Sequence, residues 1–240
     1  MRWVLKGVCG AAMLALAGCV APGGPALPPP VAGLPDFGPV ASDQAARNFV
    51  AVVRRVEPVA EQECVARNPQ ANCDFQIVID DREGQPPNAF QTLDARGRPI
   101  VVFTLALIAD ARNEDELAFV LGHEASHHIA GHIPRVQQSA QVGALILGTL
   151  ASLNGATAAS VQGAQQVGAT LGARTFSRDF ELEADALGTV IAFYAGYDPE
   201  RGAAFFSHLP DPGDRFLGSH PPNAERVEAV RRTLAELRGY

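Results

Sequence analysis

Apolar residues recur every third or fourth position along most of this chain, and one short region alternates instead. Phe49, Val53 and Val56 form a helical stripe within residues 42–57, with Ser42 placed to cap and Pro58 placed to end or kink the helix. A stripe of this kind is core packing. Residues 75–79 alternate and are rich in β-formers, and residues 80–87 are turn-like. Residues 88–93 and 99–104 then read as two more strands about a turn at 95–98. Leu117, Val120 and Leu121 return to helical spacing behind Asn113-Glu114-Asp115-Glu116, a capping residue followed by an acidic first turn. Gly131 and Pro134 mark its end. A later helix that holds residues 178–185 is expected to continue through 184–195, closed by Gly196, and further helices are expected at 198–206 and at 224–237 with Val227, Val230 and Leu234 inward. The pattern predicts an α+β fold, mainly helical, with a small antiparallel sheet just before the helix that holds residue 120.

Two regions break the pattern. Residues 137–174 are rich in Ala, Gly, Ser and Gln and almost uncharged. Two small-residue helices with a turn near Asn154-Gly155 are expected, since Ala, Gln and Leu favour helix while glycines weaken it. The apolar run within them is too short to span a bilayer. This insert is either a helical hairpin covering a cleft or a surface for a partner protein or membrane, and it is a natural place for gating. Residues 209–217 form a Pro/Gly/Asp-rich loop that leads into Ser219-His220-Pro221-Pro222.

The N-terminus is a processing segment. Arg2 and Lys6 precede an apolar run too short to cross a membrane, so residues 1–18 read as a signal peptide. Leu16-Ala17-Gly18-Cys19 resembles a bacterial lipobox, which implies cleavage before Cys19 and its acylation; an ordinary secretory signal is the alternative. The inner-membrane retention signal of such lipoproteins resembles Asp after the cysteine. Val20 stands there, so the expected location is the outer membrane, facing the periplasm. Residues 19–40 are Pro/Gly-rich and read as a tether, which leaves 41–240 as one domain. A net charge of −7 and the lack of a basic cluster argue against nucleic acid as a partner. Cys64 and Cys73 remain for the folded domain, and an oxidising compartment favours a disulfide over two free thiols.

The chemistry centres on His123-Glu124-Ala125-Ser126-His127. Residues four apart on a helix share a face, so His123 and His127 can share one metal ion and Glu124 can reach a water on it. Catalytic zinc takes three protein ligands. A histidine-extended motif fails, since Ala130 and Ile133 stand where Gly and His are required. His132, five residues past His127, is expected to point away from the metal face. Glu181 on a later helix can supply the third ligand. Asp185, four residues on, can accept the distal N–H of a liganding histidine. Glu183 falls on another face, solvated or paired locally. Arg226 is a candidate for a buried ion pair near the site. His220 has two possible roles, oxyanion stabilisation or occupation of the open metal position. His128 and His208 carry no expected role.

His-Glu-x-x-His followed by Glu-x-x-Ala-Asp resembles the M48 family of zinc metallopeptidases, from about residue 73 to the C-terminus. The resemblance implies a zincin-like domain with one zinc per chain on His123, His127 and Glu181, and Glu124 as the catalytic acid/base. It also makes Asn88, Ala89 and Phe90 a candidate substrate edge, with Ser219-His220-Pro221 and Arg226 as further family-like pieces. The residues between the motifs lack the transmembrane helices of integral-membrane members, which points to the soluble or lipid-anchored branch. Three functions are weighed: a zinc endopeptidase acting on protein or peptide substrates of the envelope, a zinc-containing chaperone or assembly factor of an envelope complex whose site is plugged by His220, and a structural lipoprotein with a coincidental motif.

Overall fold

The computed structural model of the chain describes residues 39–175, 177–208 and 223–239. The expectations for residues 1–18, Cys19, most of the tether and His220 fall outside these residues. The first helix, α1, spans Pro39–Arg67 and runs through Pro58 without stopping. Phe49, Val52, Val56, Ala60 and Cys64 are all buried, so the apolar stripe continues past the proline. Pro58 is exposed, and so is Arg54, whose carbonyl lacks the helical N–H that proline cannot supply. Water can take that carbonyl, and burial on the opposite face outweighs one lost hydrogen bond. The expected end at residue 57 and cap at Ser42 are therefore both corrected.

Cys64, near the end of α1, is disulfide-bonded to Cys73, just before β1 (Gln76–Asp80). β2 (Ala89–Leu93) and β3 (Pro99–Thr104) complete a three-stranded sheet of order β1-β3-β2. The sheet is mixed rather than antiparallel throughout: β2 pairs antiparallel with β3, but β1 runs parallel to β3. Strand composition explains the order. β3 is the most apolar strand, with Val101 and Phe103 fully buried and Ile100 and Val102 half-buried on the other face, and takes the centre. β2 is left with one edge unpaired in the sheet.

Thr104 joins three elements. Its hydroxyl accepts from the N–H of Asn88 at the start of β2 and from Leu107 in α2 (Leu105–Asp110), a short helix the hydrophobic pattern did not reveal. Helix α3 (Glu114–Ile129) follows, with the Asn113 side chain accepting from Glu116 N–H at 3.1 Å. Residues on every side of α3 are buried, as expected of a central helix rather than a surface one. It packs on α1, on the sheet and on α6 (Ser177–Tyr194).

Helices α4 (His132–Leu153) and α5 (Ala158–Thr175) form a hairpin about Gly155, whose φ of +72° favours glycine. Gly143 packs against Gly168, and Gly172 against Ser139, with no room for a Cβ at either contact. No helix among the described residues is long and apolar enough to cross a membrane. Gly196, at φ +85°, closes α6. Asp198 caps the short α7 (Pro199–Ala203), which gives way to a 3-10 turn, Ala204–His208, where one helix was expected. The last helix, α8 (Asn223–Arg238), buries Arg226, Ala229, Val230 and Leu234.

Candidate metal centre

Helices α3 and α6 touch backbone to backbone. A Cβ on Gly122 would lie 2.9 Å from the Gly188 carbonyl oxygen, and one on Gly188 would lie 2.8 Å from the His123 nitrogen. This crossing sets His123 and His127 of α3 opposite Glu181 and Asp185 of α6. Gly188→Val is expected to push the helices apart, cost about 1–3 kcal/mol, and weaken metal binding as well. Thermal unfolding and a zinc titration check both, and a variant as stable and as tight-binding as wild type would contradict this role for the crossing.

The donor atoms converge. His123 Nε2 and His127 Nε2 are 3.1 Å apart, with Glu181 Oε2 3.5 Å from the first and Glu181 Oε1 3.5 Å from the second. Tetrahedral zinc with bonds of about 2.0–2.1 Å holds its donors about 3.3 Å from one another. Each of these separations is close to one edge of a zinc coordination shell, and His123, His127 and Glu181 form a triangle, with one donor atom from each within 4.8 Å of the others, that could hold a metal ion.

Behind the triangle, Asp185 is fully buried and its Oδ1 is 2.9 Å from His123 Nδ1. Arg226 of α8 donates to both Asp185 oxygens, at 2.7 and 2.8 Å, and its guanidinium lies over the Phe206 ring. With Nδ1–H donated to Asp185, His123 keeps its Nε2 lone pair for a cation. His132 departs from expectation: it is buried, with Nδ1 2.8 Å from His127 Nδ1. Helix α3 ends at Ile129, and Gly131 at φ +65° turns the chain before α4 starts. The five-residue count along one continuous helix therefore does not apply. Glu183 is a local ion partner of Arg135 and also meets His132. His128 holds the Asn72 carbonyl, away from the triangle.

Electrostatics separate the three groups on α3. Burial works against charge on His123, but the hydrogen bonds its ring N–H groups donate to the Asp185 and Glu181 carboxylates outweigh it and raise its pKa to about 10. Burial, and then the neighbouring His123 charge, depress His127 to about 3. Burial lifts Glu124 to about 7, opposed by His123 and by the Gln91 backbone N–H. Below about pH 10 a proton on His123 therefore competes with a cation. Apparent zinc affinity is expected to rise about tenfold per pH unit between pH 7 and 9, one proton being displaced per metal bound. Chelator competition across that range checks the slope, and a flat profile would contradict it.

Glu124 is half-buried and lines a cleft of about 500 Å³ with Ala89, Phe90 and Gln91 of β2 and Ile133 and Val136 of α4. A smaller cavity of about 190 Å³ lies beside the same triangle, lined by Asn88, Leu107, Phe119, Phe205 and Phe206 among others. The Asn88–Phe90 stretch therefore borders both spaces.

A buried helix carrying two imidazoles and an acid, completed by a carboxylate from a second helix and opening on a cleft, has the donor set of the metallopeptidase class. The model of peptidase family M48 matches residues 47–234, and the chain belongs to that family. It is 36% identical over 158 residues to the beta-barrel assembly-enhancing protease of Yersinia pestis, covering 58% of this chain and 32% of that one. Identity to the protein of the same name from Escherichia coli (strain K12) is 29% over 151 residues, covering 58% and 31%. The mitochondrial metalloendopeptidase OMA1 of Saccharomyces cerevisiae is 29% identical over 161 residues, covering 62% of this chain and 44% of that one. The chain thus spans about a third of the length of these bacterial relatives.

Proposed function

We propose that the chain is a zinc-dependent endopeptidase that cuts protein substrates in the bacterial cell envelope. The observation that carries this reading is the donor triangle of His123, His127 and Glu181, backed by Asp185 and facing a cleft. Two neutral imidazoles and a carboxylate suit zinc among the available divalent ions. Zinc bound there would acidify a water and polarise the scissile carbonyl.

The chain's own residues do the rest. Glu124 takes a proton from the attacking water and returns it to the leaving amine, and its burial, which favours the protonated form, suits it to hold the proton between the two transfers. Asp185 and Arg226 hold His123 in one tautomer. Substrate adds in extended form along β2, whose unpaired edge borders the cleft at Ala89–Gln91. An apolar side chain next to the scissile bond fits the cavity between Leu107, Phe119 and Phe206. Lipid attached at Cys19 would tether the domain to the outer membrane, facing the periplasm. The names of the bacterial relatives support an envelope setting and a part in protein quality control.

The test is cleavage of an unfolded protein such as casein by the purified mature chain. Cleavage should stop with a zinc chelator and return when zinc is restored. Cleavage that persists through exhaustive chelation would overturn the proposal.

A further inference from the structure

The two histidines of the triangle are held from behind by different devices, and only that of His123 follows from the sequence motif. Behind His127, Nδ1 faces His132 Nδ1 at 2.8 Å. His132 Nε2 is 3.2 Å from Glu183 Oε2, and Arg135 donates to the same oxygen at 2.7 Å. The His132 ring is buried and stacks on Phe180, with ring centroids 4.6 Å apart and planes 14° from parallel. Arg135 covers Phe180 with its guanidinium, 4.1 Å from the ring centroid. His132 therefore has one orientation open to it.

We infer that His132 is the positioning residue for His127, and that Glu183 and Arg135 anchor it. The inference rests on the metal-site reading proposed above. Proton placement follows from the donor count. His127 must keep the Nε2 lone pair for a cation, so its hydrogen is on Nδ1. His132 Nδ1 must then accept, which puts its own hydrogen on Nε2, donated to the Glu183 carboxylate. Each imidazole fixes the tautomer of the next, and the series ends at an Arg–carboxylate pair. The arm behind His123 ends the same way, at Asp185 and Arg226, but is shorter and wholly buried. The His127 arm runs outward, with the Glu183 and Arg135 side chains 47% and 44% exposed.

Three variants of the full chain test this. His132→Phe keeps a flat ring on Phe180 but removes the acceptor. His132→Asn places an amide oxygen near the position of Nδ1. Zinc Kd is expected to rise about 10–100-fold in His132→Phe, with the visible spectrum of the cobalt-substituted protein shifted. His132→Asn should recover most of that loss and a spectrum close to wild type. Wild-type affinity and spectrum in His132→Phe, or equal loss in both variants, would overturn the inference. If circular dichroism shows that His132→Phe does not fold, Glu183→Leu on the surface decides: an unchanged Kd overturns the inference and a raised one supports it. A wild-type chain that binds no zinc would sink the metal-site reading and this inference together. Zinc binding by wild type with no response in the variants sinks this inference alone.

Discussion

Glu124→Gln is expected to lower peptide-bond hydrolysis by about 10²–10⁴-fold while leaving zinc content and fold intact. Glutamine keeps the shape and the half-buried setting of Glu124 but can neither take nor return a proton. The carboxyl donates nothing to the triangle of His123, His127 and Glu181, so metal binding has no reason to fall. Its burial lifts its pKa to about 7, and removing that buried charge carries no stability penalty. Initial rates on a fluorogenic peptide, with zinc measured on the same samples, check both halves. Activity within threefold of wild type would remove Glu124 from the chemistry. Loss of cleavage without loss of biological function would instead favour the chaperone or assembly-factor reading.

Arg226→Met is expected to be the most damaging single change away from the triangle, at about 3–5 kcal/mol. It strips the bidentate partner from a fully buried Asp185, leaving the His123 ring as that carboxylate's partner among the described residues, and it loses the stack on Phe206. For a domain of this size the melting temperature should drop by on the order of 10 °C. Arg231→Met is the control. Its pair with Glu200 lies at the surface, with side chains 58% and 47% exposed, and such pairs contribute about 0–1 kcal/mol. Differential scanning calorimetry of the two variants decides, and equal melting temperatures would contradict the buried-pair account.

These effects also show where the sequence was informative. Four-residue spacing places side chains on one helical face regardless of tertiary context, so His123 with His127 and Glu181 with Asp185 could be paired from the sequence. Arg226 was legible through the family resemblance, as a candidate for a buried ion pair near the site. His132 was not, because a five-residue step along one helix points away from the metal face, while Gly131 resets the phase between α3 and α4. A glycine followed closely by Pro134 signals the stop of one helix but not the direction in which the next one starts. The same limit applies at Pro58, where local chemistry predicts a break and burial of Val56, Ala60 and Cys64 holds the helix together. Strand order fell outside local patterning too. That β3 lies between β1 and β2 follows from which strand is the most apolar, and parallel pairing with β1 follows from the connection, not from alternation.

Metal analysis of the purified wild-type chain beside Glu181→Ala reaches the central claim most directly, because Glu181 is the one donor that α6 brings to α3. One zinc per wild-type chain and almost none in folded Glu181→Ala is the predicted result. No zinc in the wild type, or a full complement in the variant, would contradict it.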